Sequence, residues 1–369
     1  MTTRRAFIAG LAAVSATACG RCDVARGDIV SAAADADGNH FVLRVDADGS
    51  VRYAAPLAER GHDSILSPDR SVVTVVGRRP RRTLHQFRWR DGTLLRTAET
   101  PANRHLYGHA LYSADGRWLY TSENNLDDGS GVIVVRDAKT LEVAHEFSSH
   151  GIGPHEMRWS DNGRSLIVAN GGIATHPDYG RAPLNVDSMA PSLVKIEVKT
   201  GALTDKRTPA FSKSSVRHID VLADGETLVG LQQQAKNVYS EPLVVSADWD
   251  TPAPDGELQP LEVPTPDLRA LDNYTASVCC DPISGHAVVT SPRGHRVSFW
   301  DTRAGRHVAS VRLSDVAGVG YDRMAREFVV SSGRGMIYRF DADTFAAKHA
   351  LKQRIAGYRF DNHLGVINA

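Results

Sequence analysis

One feature constrains this chain more than any other: a strand–turn–strand unit that recurs along almost its whole length. Its clearest copies begin at Ser67-Pro68-Asp69, Ser113-Ala114-Asp115, Ser160-Asp161-Asn162 and Leu222-Ala223-Asp224, each followed by a short apolar run. Looser copies centre on Asp281, Asp322 and Asp361. The seven Asp markers are 39 to 63 residues apart, about 49 on average, near the length of a propeller blade. A third strand ending in Asp follows in several units, as in 131–137, 297–301 and 337–341, and then a fourth, as in 142–147 and 307–312. Short β-rich runs separated by polar turns at this spacing predict an all-β protein. Four strands per unit predict blades around an axis.

The last unit is cut short at Ala369, whereas spare strands stand at the other end, over 29–34, 40–45 and 51–55. One blade is therefore expected from both termini, which pairs edge strands that would otherwise lie open. The reading is a seven-bladed β-propeller with a shared closing blade, six or eight blades being the neighbouring alternatives. It forms one domain over 23–369. The two longest intervals contain Pro-, Asp- and Gly-rich stretches, 175–191 and 251–272, read as surface loops. Long loops in compact folds are often functional.

Four of the units place a histidine upstream of the turn: His62, His109, His155 and His218. Each lies four or five residues before Ser67, Ser113, Ser160 or Leu222. That is the start of the innermost strand, so the four rings converge near the axis. Imidazole is a common ligand for iron, copper and zinc. A one-residue difference in offset reverses a side chain's face in a regular strand, so convergence requires bulges. Glu123, after the second strand of its unit, and His176, in a Gly- and Pro-rich loop, are candidates to complete the coordination. Arg181, Asn185 and Asp187 are expected to hold that loop. His363 is read as structural.

The first residues look like an address. Arg4-Arg5, then Phe7-Ile8 and a small-residue apolar stretch to Ala18, match an export signal of the twin-arginine kind, assigned to 1–22. Ala16-Thr17-Ala18 suits signal peptidase, and Cys19 is the alternative, lipoprotein, attachment point. The expected location is the periplasm, with no transmembrane helix in the mature chain. Four cysteines, Cys19, Cys22, Cys279 and Cys280, do not make a disulfide scaffold. The adjacent pair is poorly placed to bridge to itself. With 43 Lys+Arg against 43 Asp+Glu the formal net charge is zero. That argues against nucleic acid as a partner, which calls for a surplus of Lys and Arg. There is no GxSxG elbow, P-loop or GxGxxG opening a helix.

Several stretches together are similar to a bacterial family, domain of unknown function 1513. They are Ser148 to Glu156, Val168 to Ile173, Thr175 to Asp178, Leu184 to Leu193, Val216-Arg217-His218 and Asp361-Asn362-His363. The sequence departs from the family around His62, where Gly61-His62-Asp63-Ser64-Ile65 lacks a Gly soon after the histidine. The resemblance implies an exported propeller whose genes neighbour imelysin-like proteins and dihaem oxidoreductases. That company implies periplasmic iron handling, with iron-handling or haem proteins as partners. The expectation is a monomeric iron- or copper-binding propeller without turnover. The alternatives are a metal-dependent redox or hydrolytic propeller enzyme, and a scaffold for imelysin-like or haem proteins.

Overall fold

The computed structural model describes residues 24–180, 182–251 and 256–368. The export signal, Cys19, Cys22 and Arg181 lie outside the described residues. Seven antiparallel sheets follow one another along the chain, as the repeat predicts. We number them as blades. Blade 1 spans 61–99, blade 2 104–148, blade 3 154–207, blade 4 214–260, blade 5 278–312 and blade 6 316–354. Blade 7 takes three strands from the start, Asp28–Ala34, His40–Val45 and Val51–Leu57. Its innermost edge comes from the far end of the chain: Arg359–Phe360 and Gly365–Ile367 both pair with Asp28–Ala34.

This closure corrects one detail of the repeat. Asp361 is not a turn residue like Asp69 or Asp115. It lies on the innermost edge of blade 7, where its N–H donates to the Ala32 carbonyl. The closing segment is therefore out of phase with the marker series, although the blade count is unaffected. Further clasps hold the ring shut. Gly27 N–H donates to Asp322 of blade 6, and Arg26 pairs with Glu327.

Between neighbouring blades the inward faces pack into apolar layers. Ile133 and Val135 of blade 2, for example, meet Leu166 and Val168 of blade 3, all fully buried. Each such side chain contributes about 1.5–3 kcal/mol through burial. The inner strands are buried on both faces: Leu166 and Val168 pack toward blade 2, Ile167 and Ala169 toward blade 4. The outermost strands, such as Val143–Ser148, are largely exposed. A single short α-helix is present among the described residues, Thr265–Ala270, inside one of the two predicted loop regions. No helix of the described residues is long and apolar enough to cross a membrane.

Candidate metal centre

The innermost strands do not run regularly where the histidines fall. The pairing register shifts between Gly61 and Ser64, between Leu106 and Ala110, between Pro154 and Met157, and between Val216 and His218. A bulge breaks the strict alternation of faces. This is how two different sequence offsets deliver all four rings to the axis. Gly108 shows how tight the arrangement is. Its φ is +103°, and a Cβ there would lie 2.2 Å from Cδ2 of His62. Only glycine accepts both conditions.

His62, His109, His155 and His218 are brought together, and a fifth imidazole joins them. His363, from the closing segment, stands 4.5 Å from both His62 and His109, centroid to centroid. The five rings form a closed circuit: His62–His109 5.0 Å, His109–His155 4.9 Å, His155–His218 4.7 Å, His218–His363 5.1 Å and His363–His62 4.5 Å. Ring nitrogens of His62, His109 and His363 lie within 4.8 Å of one another, as do those of His109, His155 and His218. His109 belongs to both sets.

Carboxylates stand at Nδ1 of three of the rings and hydrogen-bond two of them, by a rule that follows the ring of blades. In each case the acid lies beside one histidine in sequence and reaches the histidine of the next blade. Asp63, after His62, accepts from Nδ1 of His109 at 3.2 Å. Glu156, after His155, accepts from Nδ1 of His218 at 3.1 Å. Asp361, two residues before His363, lies 3.5 Å from Nδ1 of His62 but makes no hydrogen bond to it. After His109 the series fails, because the residue is Ala110. Nδ1 of His155 is correspondingly buried without a partner. A carboxylate on Nδ1 keeps the proton there and leaves the Nε2 lone pair for a ligand, an arrangement recurrent behind metal-bound histidines. Nε2 of His109 and Nε2 of His363 are buried with no hydrogen-bond partner among the described residues. Nδ1 of His363 instead faces the Ser277 hydroxyl at 3.3 Å.

Burial pushes the imidazoles of His62, His155, His218 and His363 below the usual histidine value, most strongly at His62, His155 and His363. Arg78 adds to the shift at His62, whereas Glu156 opposes it at His218. Neutral rings are the form that ligates metal. Burial works to raise the Glu156 carboxyl, but Arg158 and His218 outweigh it and hold it well below the usual carboxylate range. Arg158 bridges Glu156 to Asp220, whose other oxygen accepts from the Cys280 N–H. Cys279 and Cys280 are both free and buried, and burial raises both thiols well above their ordinary value.

The other two sequence candidates stand elsewhere. Glu123 is fully buried, and its Oε1 accepts from Arg136 at 2.6 Å and from the Thr121 hydroxyl. His176 accepts from the Asp178 N–H at the start of the short helix Pro177–Tyr179, its side chain 37% exposed. Neither belongs to a group of three or more converging ligand atoms among the described residues. Of the three residues expected to hold this loop, Asn185 does so through Ala174 N–H and the Gly172 carbonyl, while Asp187 pairs with Lys213. The sequence reasoning missed Asp63, Glu156, Asp361 and His363 as members of the site. The signal for the first two was present, since an acid follows two of the four in-phase histidines.

A family model described as "Protein of unknown function (DUF1513)" matches residues 55–367. The chain belongs to the DUF1513 family. The match takes in all five histidines and their carboxylates. No curated protein matches this DUF1513 chain. Among solved structures it is similar to Kuenenia stuttgartiensis hydrazine synthase, with 15% identity and a TM-score of 0.60 over 88% of this chain and 94% of that one. It is also similar to a chain of the mitotic checkpoint complex, with 14% identity and a TM-score of 0.60 over 99% of this chain and 92% of that one. At these identities the likeness speaks for the fold alone.

Proposed function

We propose that this DUF1513 propeller is a periplasmic metal-binding protein, exported by its twin-arginine-type start, that holds iron or copper on its axis and serves iron handling by binding rather than turnover. The observation that carries the reading is the set of five converging imidazoles, from five different blades, whose buried ring nitrogens include several without a hydrogen-bond partner. A buried polar atom with no partner costs about 1–3 kcal/mol. Several in one place are a standing penalty that a metal ion removes. The nitrogen-only donor set suits iron and copper and disfavours calcium and magnesium, which prefer oxygen. His62, His109, His155, His218 and His363 are the ligands. Asp63, Glu156 and Asp361 position them. Partners follow from the reading: iron-handling or haem proteins of the same compartment.

The test is elemental analysis and titration of purified, chelator-treated protein with ferrous and cupric ions. Wild type is expected to take up metal stoichiometrically, and the double variant His155→Ala/His218→Ala to lose most of that uptake while keeping its fold by circular dichroism. A wild type that takes up neither ion, or a folded double variant that binds as tightly as wild type, overturns the reading.

A further inference from the structure

The imidazole cluster is not sealed on both sides. Rings of His62, His155 and His218 form part of the wall of a cavity of about 140 Å³ at one mouth of the channel. The rest of its lining is strongly basic. Arg78, Arg79 and Arg217 all contribute, together with Tyr107 and Tyr274, and none of the described lining residues is Asp or Glu. Nη1 of Arg79 is buried without a hydrogen-bond partner. The Arg79 guanidinium lies 5.8 Å from the Tyr107 ring. Arg217 is 9% exposed, and it fits because residue 171 is glycine: a Cβ there would sit 3.2 Å from the guanidinium carbon. Asp361 is the nearby counter-charge, but it is shared among Arg60, Arg78 and His62.

The opposite side of the cluster has a different character. A second cavity there is lined by Asp63 and Glu156 as well as His363, with Arg158 neutralising Glu156. The channel is thus polarised, guanidiniums at one mouth and carboxylates at the other. The orphaned Nη1 of Arg79 carries a desolvation cost that an anion in the cavity removes, and a cation held on neutral imidazoles beside it adds to the local positive charge. Guanidinium forks match the paired oxygens of carboxylate, carbonate and phosphate. On this measure a water needs about 10–15 Å³, so the cavity has room for several waters and therefore for a small anion.

We infer that this basic cavity is a binding site for a small oxyanion of the bicarbonate or phosphate class, taken up together with the axial metal, each tightening the hold on the other. The inference rests on the metal-binding reading for its coupling, but the anion site itself does not. Coupling between two sites is reciprocal and typically about 5–150-fold.

Two measurements separate the ideas. In the first, metal-free protein is titrated calorimetrically with inorganic phosphate. Wild type is expected to bind, and Arg79→Gln and Arg217→Gln each to weaken binding about tenfold or more. Arg79 is only half-buried, so its variant remains informative if Arg217→Gln unfolds. In the second, cupric ion is titrated with and without bicarbonate. Bicarbonate is expected to tighten copper binding by about tenfold in wild type and by less than twofold in Arg79→Gln. Metal binding that ignores the anion, together with no phosphate binding, overturns the oxyanion site and leaves the metal reading standing. Phosphate binding without any metal uptake keeps the site and overturns the coupling and the metal reading.

Discussion

Blades 1 to 4 and blades 5 and 6 are built from the same four-stranded unit, yet they treat the axis differently. In the first group each innermost strand carries a histidine at a register shift. Blade 6 has a shift at the same level, between Val316 and Val319, but fills it with Ala317 and Gly318. A Cβ on Gly318 would press on the Ser331 hydroxyl and on Leu364 of the closing segment. Blade 5 presents Ser277 there, which touches His363 instead of supplying a ring. The bulge therefore belongs to the fold, and what stands on it belongs to the site. Small residues in blades 5 and 6 leave space for the closing segment to bring His363 across to the other four rings.

Within a blade, the two groups use the same device, a buried ion pair. In blade 6, Arg339 is buried against Asp322 and Glu327. In blade 2, Arg136 is buried against Glu123 in the corresponding manner. Breaking a buried pair from one side costs about 3–5 kcal/mol. Glu123→Ala and Arg339→Ala are both expected to lose stability on that scale in chemical denaturation, with metal stoichiometry unchanged in whatever remains folded. Loss of metal in Glu123→Ala at full stability would return Glu123 to the ligand set and blur the contrast.

Next in size are the carboxylates at the rings, which stand in blades 1, 3 and 7. Glu156→Gln is expected to lower metal affinity about 10- to 100-fold, read by competition with a chromophoric chelator. It keeps the shape of the side chain, so an unchanged affinity would mean that the ring of His218 needs no orienting charge. Gly108→Ala tests the bulge itself. Strain at a positive φ costs about 1–3 kcal/mol, and the new methyl displaces His62. Both a lower melting temperature and weaker metal binding are expected, whereas alanine at Gly225, φ +94° with open space around its Cβ, carries the strain alone.

Acidification separates the groups through stability. Burial lowers His62, His155, His218 and His363, so the folded, metal-free protein binds fewer protons there than the unfolded chain does. Their contribution is fully present above the unfolded histidine value, about 6.5, and is lost progressively as the pH falls below it. His105, held down to about 4 by burial, acts in the same direction. Denaturation midpoints of metal-free protein between pH 7.5 and 5 are expected to fall, and to fall less in His155→Ala/His218→Ala. A pH-independent midpoint would show that the rings are not buried in neutral form. The smallest effect is expected at Ser277→Ala, about 0.5–1.5 kcal/mol for one hydrogen bond, with modestly weaker metal binding through His363.

Most of the fold was legible because it is periodic. Asp69, Asp115, Asp161 and Asp224 mark turns that any reader of the chain can count, and short apolar runs between them mark strands buried on both faces. The phase of His62, His109, His155 and His218 was legible for the same reason. Asp361 misled because its sequence imitates a turn marker, while its position is set by pairing with a strand some 330 residues earlier. Glu123 misled because a buried carboxylate in blade 2 pairs with Arg136, thirteen residues on in the next strand, and not with the axial rings.

By itself, then, the sequence determined the β-class, the repeat, the two-ended closing blade and four axial histidines, since each depends on local pattern or on period. Tertiary structure decided the rest. Whether a ring points inward depends on a bulge between paired strands. Which acid meets which ring depends on the blade that lies next in space. His363 enters the site, and Arg78, Arg79 and Arg217 gather at one mouth, only because the chain closes into a ring. Contacts of that kind are made across blades, and no interval along the chain encodes them.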